Sequence, residues 1–286
     1  MAQWKTVLAA ALTLACAAGP ALAHTAYVKP ANFYENGDDV WIDGSYATQF
    51  YTPNIGISAP TFQVTGPDGK TSNFGNMQVT AENAHVEAFT YDPGTYLIST
   101  GEIMGAITHL VSDGNGGWRP LGAGETPAEG LQTTTLQSVT LAEAYVTRGA
   151  VTRTVVDRNV GRLAIHPVTH PNQVLVSSGF QVQLLLDGQP FANVPVVIYA
   201  NGDPETKLDR YVVTDAQGNA QLTFTQPGVY TIAARYRGAA PADAGVATRS
   251  YTTTLTFEVM TALPPPPPPE TAAQQRHRRP RRDDGR

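Results

Sequence analysis

The chain has 286 residues, 42% hydrophobic and 15% charged, with 26 Gly, 22 Pro, one Cys and a formal net charge of −5. That excludes a disordered polyampholyte and a disulfide-stapled miniprotein, and predicts at least one buried core in one or two domains. The Gly and Pro content, with abundant Thr and Val, favours short strands and turns over a large helical enzyme.

Residues 1–5 carry one cation, residues 6–18 form a short apolar run, and Gly19-Pro20 precedes Ala21-Leu22-Ala23. This is the order of a secretory signal with a small-x-small cleavage site. The apolar run is too short to span a bilayer core of about 30 Å as a permanent helix. The expected mature chain begins at His24 and is periplasmic. Acylation at Cys16 is the rival, opposed by Thr13 at the position where such sites carry Leu. Cleavage after Ala23 removes the only Cys and with it any thiolate chemistry. No second apolar run of about 20 residues follows, so no transmembrane segment is expected in the mature chain.

Early in the mature chain, Asp38, Asp39 and Asp43 stand near Trp41, an acidic aromatic cluster that could hold a cation or a sugar; solvated carboxylates at a strand edge are the blander reading. Residues 61–65 alternate like a strand and run into the turn Gly66-Pro67-Asp68-Gly69. Residues 85–90, the turn Asp92-Pro93-Gly94 and residues 95–98 read as strand, turn and strand. Gly-rich loops follow at 113–118 and 122–130, of the kind that often carries binding sites at a sandwich end. Residues 141–146 are the one stretch open to a helical reading, and the β-branched residues around them argue against it. Strands are predicted at 180–186, 194–199 and 250–259, with turns at 187–190 and 214–218. Residues 220–224, Gln226-Pro227-Gly228 and 229–232 repeat the earlier grammar.

The two Pro-Gly-x-Tyr strands, with Tyr96 and Tyr230, lie 134 residues apart. They predict an all-β chain of two Ig-like β-sandwich modules in tandem, at 24–158 and 159–262. From 263 onward Pro264 to Pro269 form a stiff spacer of about 19 Å, followed by a disordered Arg-rich tail. Residues 24–269 carry 12 Lys plus Arg against 21 Asp plus Glu, while residues 270–286 carry 6 Arg against 3 acids. The acidic body repels nucleic acid, and the basic tail suits an envelope protein or an anionic surface such as lipopolysaccharide.

A mature amino-terminal His24 would offer its α-amine and an imidazole nitrogen to one metal, a chelate that suits Cu(II) or Ni(II). Further ligands are sought among His85, His109 and His170. A lone strand histidine, as at 85 and 109, is more often a hydrogen-bonded structural residue. His166 and His170 each precede a Pro, which imposes extended geometry and places them about 13 Å apart in a straight strand. That loop reads better as a joint between modules than as a chelate. No Gly-x-Ser-x-Gly elbow, His-Glu-x-x-His motif or phosphate loop occurs.

The segment His24-Thr-Ala-Tyr-Val-Lys-Pro30, the Pro-Gly-x-Tyr strand at 93–96, Pro167-Val-Thr-His-Pro-Asn172, Asp187-Gly-Gln-Pro190, Thr214-Asp-Ala-Gln-Gly218 and Tyr251 to Val259 form an ordered series. It resembles the exported bacterial family called domain of unknown function 4198 over about residues 24–260. The resemblance implies an exported two-module β protein with a suspected link to nickel or cobalt handling. It implies no catalytic residues, and draws attention to His24 and His170. The polyproline and Arg-rich tail is a departure from the family. The expected function is non-enzymatic capture of a copper or nickel ion through His24 and another histidine. One rival is a structural or adhesive envelope protein without metal. Another is a copper oxidase acting on polysaccharide, which needs a flat aromatic face from Trp41, Tyr46, Phe50 and Tyr51.

Overall fold

The structure, a computed structural model, describes residues 25–58, 61–72 and 74–265. The expected signal segment, His24 and the Arg-rich tail lie outside the described residues. Among those described, every regular element is a strand. The all-β expectation is met.

In the N-terminal half, Thr25–Pro30, Asp39–Ala47, Ala84–Phe89 and Met77–Val79 lie side by side in one antiparallel sheet. Its strands alternate cleanly: Val40, Ile42, Val86 and Ala88 are buried, while Trp41, Asp43, His85 and Glu87 between them are half-buried. The facing layer contains Thr133–Arg148, Gly94–Ser99 and Gln63–Thr65. Between the layers pack Val28, Ile42, Ile57, Val86, Ile98 and Val146. Each such side chain contributes about 1.5–3 kcal/mol when removed from water.

The C-terminal half repeats the plan. Leu163–Pro167, Phe180–Leu186 and Asn219–Leu222 cover Pro195–Ala200, Gly228–Ala239 and Thr248–Met260. Phe180, Val182, Leu184, Ile232, Leu255 and Phe257 fill the space between. The hairpin after Phe180–Leu186 turns on Asp187 and Gly188, with φ of 52° and 73°, the left-handed pair that a tight two-residue hairpin requires.

The two halves share a sheet. Thr133–Arg148 pairs in parallel with Thr248–Met260, from Leu136 opposite Thr248 to Ala144 opposite Thr256. One sheet therefore runs from Tyr211–Val213 at one edge, through these two strands, to Thr71–Ser72 at the other. The expected module boundary, between residues 158 and 159, falls in the loop at 149–162, which leaves this sheet uninterrupted.

The helical reading of residues 141–146 is corrected: they lie inside Thr133–Arg148. Ala142, Ala144 and Val146 face the N-terminal core, while Val139 and Tyr145 face the C-terminal core. A strand with a core on each side loses its polar alternation, and its continuous apolar run resembles a buried helix.

Each Pro-Gly-x-Tyr turn joins the two layers of a sandwich. Ala84–Phe89 and Gly94–Ser99 belong to different sheets, as do Asn219–Leu222 and Gly228–Ala239. Gly94 and Gly228 hold φ of 137° and 146°, outside the range that side-chain-bearing residues readily adopt.

The threonines of the last strand tie the layers together. The Thr254 hydroxyl donates to the Ala26 carbonyl at 2.8 Å and the Thr253 hydroxyl to the Leu163 carbonyl at 2.6 Å. The Thr256 hydroxyl lies 2.9 Å from that of Thr231, which in turn lies 2.9 Å from the Tyr51 hydroxyl. A β-branched residue suits the strand, and its hydroxyl satisfies backbone that would otherwise be buried without a partner.

Candidate functional site

The first strand starts at a tightly built position. The Thr25 amide donates to Glu205 Oε2 at 2.8 Å, and Arg235 donates to the Thr25 hydroxyl at 2.9 Å and to the Tyr199 hydroxyl at 3.2 Å. The Tyr199 hydroxyl donates to the Glu205 carbonyl at 3.0 Å. Glu205 belongs to a loop held against residues 48–50: its amide donates to the Thr48 carbonyl at 3.0 Å, and the Phe50 amide to the Asp203 carbonyl at 2.9 Å. Beneath this seam Tyr27, Phe50, Val197, Tyr199 and Ala233 form a small core of their own. Residue 24 is thus bonded to a fully buried, anchored neighbour. Glu205 carries no motif in the sequence, and only the fold brings its carboxylate 180 residues back along the chain.

His85 sits on the outer side of the N-terminal sheet, opposite Asp43 in register. Its Nδ1 lies 2.9 Å from Asp43 Oδ1, and Asn83 Nδ2 donates to the same oxygen at 2.7 Å. The ring stacks on Trp41, with centroids 4.4 Å apart and planes 12° from parallel. His85 and Trp41 each cover one face of the other. The acidic aromatic cluster expected around Trp41 therefore includes His85 and Asn83. Asp38 turns elsewhere, pairing with Arg148 at 2.6 Å.

His170 is a structural residue. Its Nε2 lies 3.1 Å from the Thr152 carbonyl and 3.1 Å from the Thr95 hydroxyl, while Nδ1 accepts the Asn172 amide at 3.2 Å. This set requires a neutral ring protonated on Nε2, so both nitrogens are spent. Burial lowers its pKa, which favours the same neutral form. Asn172 continues the network, donating to the Tyr145 carbonyl at 2.8 Å and the Phe33 carbonyl at 3.2 Å and facing the Thr147 hydroxyl at 2.9 Å. The loop from Pro167 thus bonds the C-terminal half to strands of the N-terminal half.

His109 is exposed on Ile103–Ser112, opposite Thr135. His166 Nδ1 meets Asn159 Oδ1 at 3.1 Å. Among the described residues, no group of three or more His, Cys, Asp or Glu side chains is placed to hold a metal ion. The structure does not gather His85, His109 and His170 into one site, and His24 lies outside the described residues.

The flat aromatic face that polysaccharide oxidation requires is also absent from the described residues around Trp41. Tyr46 packs on the N-terminal core. Phe50 is fully buried, and Tyr51 meets it at 76°.

One group escaped the sequence reading. Glu143 is 3% exposed at the centre of the shared sheet, with Oε1 lacking any hydrogen-bond partner. Burial pushes its pKa up to about 8, with Ser99 opposing the shift. A single acid in an apolar strand gives no sequence signal of burial.

The profile of the family described as domain of unknown function (DUF4198) matches residues 21–238. The chain belongs to this family. The match spans both halves of this DUF4198 protein and ends before its last strand, Thr248–Met260. No protein of curated function matches the chain. Among solved structures, the D0-D1 domain of intimin is similar at 13% identity, covering 80% of this chain and 96% of that one, with a TM-score of 0.21. An overlap that low says nothing about function. Among the described residues, no helix is long and apolar enough to cross a membrane.

Proposed function

We propose that this DUF4198 protein is an exported, periplasmic and non-enzymatic binding protein that captures a copper or nickel ion at a mature amino terminus beginning with His24. The observation that supports this reading is the anchoring of Thr25 by Glu205 and Arg235. A terminal residue attached to a fixed neighbour loses little entropy on chelation. The Thr25 amide is committed to Glu205, so the ligands from this residue pair are the His24 α-amine and imidazole rather than the intervening amide. His170 has no nitrogen to add. The Arg-rich tail supplies a contact to an anionic envelope surface.

Calorimetric titration of Cu(II) and Ni(II) into protein beginning at His24, beside a version with one Ala added before it, tests the reading. Tight binding lost in the extended version is the expected result. Equal, weak binding in both would overturn it.

The adhesive reading is favoured by a different observation, the half-exposed Trp41, His85 and Asp43 cluster on the open sheet face. If the amino terminus binds no metal, retention of the protein by isolated envelope material should fall when Trp41 is replaced by Ala.

A further inference from the structure

A cavity of about 310 Å³ lies where the first and last strands end together. Phe33, Val229 and Met260 provide apolar walls, Tyr34 an aromatic one, and Glu258 the acidic group. Glu258 is half-buried, opposite Val229 in register, and its carboxylate has no hydrogen bond or ion pair among the described residues. Lys29 also lines the cavity without pairing with it. Burial first, and then the nearby Glu258 carboxylate, raise the pKa of the Tyr34 phenol, and burial raises that of Glu258 itself. Pro264, next to the last described residue, forms part of the rim.

We propose that this cavity binds a guanidinium group, with Glu258 as counter-ion and the Tyr34 ring beside it. A carboxylate that has lost part of its hydration without gaining a partner is stabilised by a cation. A guanidinium presents paired N–H donors to a carboxylate and a flat cationic face to an aromatic ring. The volume stands at the small end of ligand cavities, roughly 300–1,000 Å³, and suits one arginine-sized side chain. The group has two sources. One is the chain's own tail, whose six arginines begin at Arg276, beyond the spacer that starts at the rim. The other is an arginyl group of another molecule. This site is independent of His24.

The test uses L-arginine methyl ester as probe and the uncharged citrulline methyl ester as its control, titrated by NMR while following Tyr34 ring signals in the full mature chain. Saturable binding with Kd on the order of 1 mM, at least about tenfold weaker in Glu258→Gln and for the citrulline ester, is expected. A full-length variant with all six tail arginines changed to Gln separates the sources. Probe binding about twofold or more tighter in that variant assigns the cavity to the tail, because a flexible tether supplies millimolar effective concentration. Unchanged binding there assigns it to an external arginyl group. No saturable shift in either full-length protein, or equal response to the citrulline ester, would overturn the proposal whether or not Glu258→Gln folds.

Discussion

The Tyr96 hydroxyl donates to the Asp92 carbonyl at 2.8 Å and accepts the Asp92 amide at 2.7 Å. In the second sandwich the Tyr230 hydroxyl donates to the Gln226 carbonyl at 3.0 Å, again four residues back. Both bonds lock a turn that carries the chain from one layer to the other, the role of a tyrosine corner. Tyr96→Phe should cost about 1–2 kcal/mol and Tyr230→Phe about 1 kcal/mol, the former more because it also orphans an amide. Urea denaturation midpoints would show the order; equal stability of both variants and the parent would remove the corners from the stabilising set.

Glu143 imposes a pH dependence. Its folded pKa, about 8, lies above the ordinary 4.5, so the unfolded chain releases this proton first as pH rises. Stability attributable to the neutral acid is complete below the ordinary value and is lost progressively up to the folded one. Between pH 5 and 7.5 the parent should lose a few kcal/mol relative to Glu143→Gln, at up to about 1.4 kcal/mol per pH unit. Parallel urea curves across that range would show that the carboxyl is ionised in the folded protein.

His170 acts with the opposite sign. Its folded pKa is lowered by burial, so its contribution is present above about 6.5 and is lost as pH falls through the folded value. A ¹⁵N-detected titration should show a neutral ring with the proton on Nε2 and an apparent pKa below the ordinary histidine value. An Nδ1–H tautomer would contradict the assignment of both nitrogens to the network.

Asn172→Ala should be among the more damaging single changes. It removes donors to two backbone carbonyls and a partner of the Thr147 hydroxyl in a buried network. A loss of about 2–4 kcal/mol in urea denaturation is expected. A change below about 0.5 kcal/mol would mean that water replaces the amide.

Gly218→Ala should cost about 2 kcal/mol or more. Gly218 has φ of 76°, and a Cβ there would stand 2.6 Å from the Leu184 carbonyl oxygen. Strained backbone and a backbone clash act together. Thermal denaturation measures it, and an unchanged melting temperature would show that the turn relaxes freely.

Much of the local structure was legible in the sequence because it depends on neighbours along the chain. The turn at Thr214-Asp-Ala-Gln-Gly218 could be read because Asp215 Oδ1 accepts the amides of Gln217 and Asn219, at 2.9 and 2.8 Å, within five residues. The alternation of residues 85–90 was visible because one face of that strand meets water. Residues 141–146 were ambiguous because their burial on both faces depends on two cores assembled from distant strands. The candidate site was less legible still. His85 and His170 could be picked out as histidines, but their partners Asp43 and Thr152 are chosen by register and loop packing.

The all-β class, the paired Pro-Gly-x-Tyr corners, the short turns and the family could all be read from the chain alone, since each is carried by residue types at fixed local spacing. That the two sandwiches share a sheet, that Glu143 is buried beside Leu255 and that Glu205 reaches Thr25 came only from the packed fold. Those outcomes depend on which strands pair and which faces meet across 100 residues or more, where burial and hydrogen-bond satisfaction of the whole chain select the arrangement.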